Sequence, residues 1–216
     1  MEIAIDWLPR PRANLALIRH NREVKLSDSL SVSVIGQVGV MVPDGGFRRL
    51  QPAQRQLLSL LVAAGPRGLT ADRLADEIWP ERLPNQWQAS VRMTVSRLRR
   101  SVGTNFVDMV DGYYRLSLSI DQVDAWFLTN LTERTNITLT SGDVERLGEL
   151  IGSTELYGGV EPSLTIEASM REVAQSQREL IAATAKSGLE LPRTILRKLY
   201  RQVWSVPFEE DLCADV

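Results

Sequence analysis

The chain has 216 residues, with 25 basic and 27 acidic side chains and a formal net charge of −2. Hydrophobic content of 44% and charged content of 24% are those of an ordinary globular protein and exclude disordered or fibrous classes. One cysteine excludes an internal disulfide framework and a Cys-rich metal site, and the single histidine, His20, excludes a His-pair site.

The amino terminus, MEIAIDWLPRPRANL, lacks a secretory pattern. No apolar run approaches the ~18 residues of a membrane helix, so a cytoplasmic location without membrane contact is expected. Residues 1–28 form a mixed lead segment in which Pro9 and Pro11 break any helix before Ala13. The stretch Asn14–His20 fits a short helix or strand. From Ser29 to Ile35 polar and apolar residues alternate, which predicts a half-buried strand. Val38–Val42 reads as a second strand, Pro43-Asp-Gly-Gly46 as a turn, and Phe47–Leu50 as a third strand.

Three helices follow. Gln51–Ala64 is apolar nearly all round at Leu57, Leu58, Leu60 and Leu61, which makes it central; Pro52 suits its first turn. Thr70 caps a second helix, Ala71–Trp79, stopped by Pro80. The third, Gln86–Val102, ends at Gly103. Val107–Val110 and Tyr113–Leu118 flank Asp111-Gly112, a strong hairpin signal. Beyond Asp121 the pattern is helical: Val123–Leu139, Asp143–Leu156, Ser163–Lys186 and Pro192–Val206, with a last start at Pro207. Helix pairs at roughly 35–40-residue spacing suggest a solenoid of helical hairpins.

Strands, three helices and a hairpin, in that order, describe an α+β winged helix-turn-helix over residues 29–120. An all-α, TPR-like helical-hairpin domain follows over 121–216. On the third helix, positions at 100° intervals place Trp87, Val91, Val95, Leu98 and Val102 on one face. The other face carries Gln86, Ala89, Arg92, Met93, Ser96, Arg97 and Arg100, with Arg99 at its edge. A major groove accepts such a helix, and guanidinium forks bind guanine or phosphate. An Arg-rich helix face is more often merely solvated, so the reading leans on the strand–helix–hairpin order and on Arg115 in the wing.

Charge divides with the proposed domains. Residues 29–120 hold 11 Arg, no Lys and 7 acids; residues 121–216 hold 9 basic and 16 acidic side chains. A net of +4 followed by −7 fits a DNA reader joined to a unit that phosphate would repel. The near-neutral total conceals this asymmetry.

Several runs carry a family resemblance: Val34–Val40, Gln54–Leu58, Leu74–Trp79, Val95-Ser-Arg-Leu-Arg-Arg100 and Asp111-Gly-Tyr-Tyr-Arg-Leu116. They resemble the OmpR-type winged helix of the Streptomyces antibiotic regulatory proteins. Asp121–Leu131, Leu156–Gly159 and the helices after Pro162 resemble the bacterial transcriptional activation domain that follows it there. The resemblance covers residue 29 to the end, and the Val95–Arg100 run is its most specific part. It implies an activator that binds direct promoter repeats in double-stranded DNA as a head-to-tail homodimer and recruits RNA polymerase. By position, Arg92, Met93 and Ser96 would face bases. Arg97, Arg99 and Arg100 would bind phosphate or edge bases, and Arg115 would serve the wing. The chain departs from the family in ending early in what would be a third helical hairpin, and in its longer lead before Ser29.

Enzymatic readings find no support. There is no G-x-x-x-x-G-K-[ST] loop and no G-x-G-x-x-G after a strand, and no cofactor is implied. Gly45-Gly46 and Gly158-Gly159 read as turns, Cys213 as a bland thiol, and Glu209-Glu210 as solvated helix-start residues. Trp79, Trp87, Trp126 and Trp204 read as core. The competing class is a protein–protein interaction module whose winged helix no longer reads DNA.

Overall fold

A computed structural model describes residues 31–42, 46–133, 150 and 155–187. The lead segment with His20 and the Pro43–Gly45 part of the first turn lie outside the described residues. So do the end of the helix expected over 123–139, most of the one expected over 143–156, and all of the one expected over 192–206. The start at Pro207, Trp204, Glu209-Glu210 and Cys213 also fall outside them.

The chain opens with an antiparallel meander of β1 (Ser31–Ser33), β2 (Gly39–Met41) and β3 (Phe47–Arg49), in that spatial order. Helix α1 (Pro52–Ala63) follows, with its entry fixed by the Gln51 amide donating to Gln54 Oε1 at 2.9 Å. Leu57, Leu58, Leu60 and Leu61 are each fully buried, so α1 is the central helix that its all-round apolar surface predicts. Helix α2 (Ala71–Ile78) is capped by Thr70, whose hydroxyl accepts from the Arg73 amide. Helix α3 (Trp87–Val102) comes next, then the hairpin β5 (Val107–Val110) and β6 (Tyr113–Leu116).

A two-residue strand that the sequence does not announce, β4 (Leu69–Thr70), joins the outer edge of β6 and completes a three-stranded wing sheet. Gly68 permits this closure. Its φ is +75°, and a Cβ there would lie 2.0 Å from the Tyr114 carbonyl oxygen.

After the wing, α4 (Asp124–Glu133) and α5 (Leu164–Ser187) pack against each other, and α5 also packs on α1. The buried positions of α5 are Ile166, Ser169, Val173, Ser176 and Leu180, a 3–4–3–4 stripe. The two serines are small enough for close approach, and each has a partner. Ser169 Oγ lies 2.7 Å from the Tyr157 hydroxyl, and Ser176 Oγ accepts from Thr132 of α4. A helical unit thus follows the winged helix, although only one packed helix pair falls within the described residues.

The segment expected to be the end of a helix at Leu156 is instead extended. Leu156 bridges Ile35, and Gly158 bridges Gln37. The Tyr157 amide donates to Val34 O at 2.7 Å, and the Gly36 amide donates to Glu155 O at 2.6 Å. The strand-end backbone beyond β1 has open hydrogen-bonding groups, and residues 155–158 satisfy them; that demand overrides helical periodicity here. Gly158 is a close-approach glycine rather than a turn residue, since a Cβ there would lie 2.7 Å from Gly36 O.

Asp124 makes the companion connection. Its buried carboxylate accepts from the amides of Val34, Ile35 and Ala125, at 2.7–3.0 Å, and from the Ser33 hydroxyl at 2.9 Å. It therefore satisfies the start of α4 and the end of β1 with one side chain. Trp126 adds an indole N–H to Val62 O at 2.8 Å, one of the carbonyls left open at the end of α1. Glu77 of α2 accepts from the amide and hydroxyl of Thr165 in the first turn of α5, where a negative charge is favoured by the helix dipole.

Replacing Asp124 with Ala leaves buried amides without an acceptor and is expected to cost about 3 kcal/mol or more, at ~1–3 kcal/mol per orphaned group; chemical denaturation measures it. Burial pushes the Asp124 carboxyl above its ordinary value, against the opposing pull of the Ile35 and Val34 amides, the Ser33 hydroxyl and the Ala125 amide. A raised folded-state pKa means that the native chain holds this proton more tightly than the unfolded chain. The stability it contributes is present below the unfolded value and is lost as pH rises through the folded one. The stability of wild type relative to Asp124→Asn should therefore fall as pH rises from the ordinary carboxyl range. A difference that grows over that rise would contradict the assignment.

Candidate nucleic-acid interface

Helix α3 divides as its periodicity predicts. Val91, Val95 and Leu98 are buried, whereas Trp87 and Val102 are only half-buried at its two ends. Every residue expected on the outward face is exposed: Gln86, Ala89, Arg92, Met93, Ser96, Arg97 and Arg100. No acidic residue occurs in α3, and among the described residues no ion pair engages its arginines. The face is therefore an uncompensated strip of guanidinium charge interrupted by short side chains.

Arg99 stands apart from its neighbours. It is half-buried, and its Nε donates to Val107 O at 2.8 Å, tying α3 to the first strand of the wing hairpin. The side chain at the edge of the outward face thus holds helix and wing in register.

The wing turn places Asp111 at φ +52° and Gly112 at +82°, the two positive values that a two-residue hairpin loop of this type demands. Arg115 is half-buried on β6 and stands directly across from Asp108 on β5, so part of its field is offset by a neighbouring carboxylate. Arg67 lies over the Tyr113 ring at 5.6 Å from the centroid, adding a second cation to the wing base.

Three further contacts escape sequence reasoning. Arg48 of β3 donates to the Ser101 carbonyl in the last turn of α3. Gln54 of α1 donates to Ser101 Oγ at 2.9 Å, and that hydroxyl donates to Arg97 O at 3.0 Å. Together they fix the C-terminal turn of α3 against β3 and α1. The only sequence signal was an Arg-Arg pair on a short strand, where alternation sends the two side chains to opposite sides of the sheet. Beside this anchor, the start of α1 and the Arg97–Arg100 edge of α3 enclose a groove of about 220 Å³. Chemically, the ensemble offers an exposed cationic helix, a β-ribbon beside it, and a firm seat for both.

Comparison with known proteins agrees with this geometry. Residues 47–113 match the family described as transcriptional regulatory protein, C terminal. The chain is 28% identical over 117 residues to the Regulatory protein AfsR of Streptomyces griseus, covering 54% of this chain and 12% of that protein. In fold it is similar to Mycobacterium tuberculosis EmbR, solved in complex with a low affinity phosphopeptide. There the TM-score is 0.51 and the identity 18%, over 80% of this chain and 54% of the other. The chain thus spans a small part of the curated relative and about half of the structural one. Residues 47–113, at the centre of the chain, thus match an OmpR-type winged helix of transcriptional regulators, and the chain is similar to Streptomyces antibiotic regulatory protein-like regulators.

Proposed function

We propose that the chain is a cytoplasmic, non-enzymatic activator that reads direct repeats in double-stranded DNA through α3 and the wing. The observation that carries this reading is the outward face of α3: seven exposed positions, three of them arginines, with no carboxylate among them. Arg92, Met93 and Ser96 lie where a helix in the major groove meets base edges, and Arg97 and Arg100 lie toward the flanking phosphates. Arg115 reaches toward the adjacent minor groove, and Arg99 serves by holding the wing to the helix. Head-to-tail dimers on the repeats and recruitment of RNA polymerase through the acidic helical unit complete the proposal. The net of −7 over residues 121–216 supports the last point, since that charge keeps the unit off the duplex and available to a protein.

The test is duplex binding as a function of salt. Selection from a random duplex pool supplies the operator and should return paired half-sites in the same orientation; a single unrepeated site would overturn the dimer reading. On that operator Arg92→Ala should cost about 1–3 kcal/mol and relax base preference, as expected for direct readout, whereas Arg97→Ala should weaken binding without changing base preference. Arg100→Ala should weaken all sequences alike and reduce the slope of log affinity against log salt by roughly 1. Unchanged binding by the Arg92→Ala, Arg97→Ala double variant would remove α3 as the reading element. Arg48→Met should lower affinity with little change in base preference, because it loosens the seat of α3 rather than its outward face.

A further inference from the structure

A second cationic site lies away from the α3 face, where β3, α1 and residues 155–159 meet. The cleft has a volume of about 310 Å³, at the lower end of small-molecule pockets, which run roughly 300–1,000 Å³. Strand alternation builds its wall. Arg48 leaves one side of β3 for Ser101 of α3, whereas Phe47 and Arg49 both line the cleft. The tip of the Phe47 ring comes up against Gly39, close enough that a Cβ there would sit 2.2 Å from it. Arg55 enters from α1, with Leu50 beside it. The Arg55 Nε is buried and has no hydrogen-bond partner, and one terminal nitrogen passes over Gly159, 3.0 Å from where a Cβ would stand. A buried guanidinium N–H left open costs free energy that an acceptor would recover.

We propose that this cleft binds a small organic carboxylate, with the head group held between Arg49 and Arg55 and the apolar body against Phe47 and Leu50. Two guanidinium groups and the Glu155 carboxyl in the same wall leave one net positive charge, which matches a monoanion better than a dianion. Planar carboxylates also suit the two parallel donors of a guanidinium. The occupant touches the winged helix through β3 and α1, and the helical unit through Gly158 and Gly159. It therefore braces the junction between them and stabilises the folded chain by mass action. The inference rests on no part of the DNA-reading proposal.

Benzoate is the probe, with methyl benzoate as its uncharged counterpart and inorganic phosphate as a competing anion. Isothermal titration of the full chain should show saturable one-to-one binding of benzoate, none of methyl benzoate, and a raised unfolding midpoint with benzoate alone. Arg49→Gln, an exposed position whose change leaves the core intact, should weaken binding at least tenfold, as should Arg55→Gln. Arg97→Ala, on the α3 face, should bind benzoate as wild type does. Absence of saturable binding, equal binding of the methyl ester, preference for phosphate, or wild-type affinity in both Arg49→Gln and Arg55→Gln would each overturn the proposal. Loss of benzoate binding in Arg97→Ala would also overturn it, by placing the anion on the DNA face instead.

Discussion

The arrangement of the helices depends on where one buried carboxylate finds its donors. Asp124 begins α4, yet most of its hydrogen bonds go about 90 residues back, to the backbone leaving β1. A carboxyl can be buried only when its oxygens are met by donors, and three amides and a hydroxyl meet that condition. Because those donors sit at the end of a strand, α4 can start in only one place relative to the sheet. The Glu155–Gly158 backbone then closes on the same strand end, using the groups that Asp124 leaves open.

With α4 so placed, α5 is laid across α1, and the apolar character of α1 becomes intelligible. A helix with leucine on every side needs cover on every side. Helices α2 and α3 cover part of it, and α5 and Trp126 cover the rest. The serines in the α5 stripe belong to the same solution. Larger residues there would hold α5 away from Tyr157 and from α4, whereas Ser169 and Ser176 fit and hydrogen-bond. One hydrophobic core consequently runs through both the winged helix and the helical unit.

What was legible in the sequence follows from this. The two faces of α3 could be read directly, because burial on one side and solvent on the other write a 3.6-residue period. The wing turn could be read because Asp111 and Gly112 must both adopt positive φ. Strand β4 could not, since two residues carry no period and only Gly68 hints at the close approach. Asp124 reads locally as an ordinary first-turn acid; nothing near it in the chain points to Val34 and Ile35. Leu156 looks like the end of a helix because its bridge to Ile35 is dictated by a strand far away in the chain. Within the candidate interface, exposure of Arg92, Arg97 and Arg100 was foreseeable, whereas the inward bond of Arg99 to Val107 O depended on where the hairpin came to rest.

The shared core has a mechanical meaning. Arg48, Gln54 and Arg99 clamp α3 to β3, α1 and the wing, while Glu77, Trp126 and Asp124 clamp the same scaffold to α4 and α5. No flexible tether intervenes between the two sets of clamps among the described residues. Helices α3 and α5 are therefore geared together: were α3 to enter a groove, its angle of entry would set the compass bearing of α5 about the duplex axis.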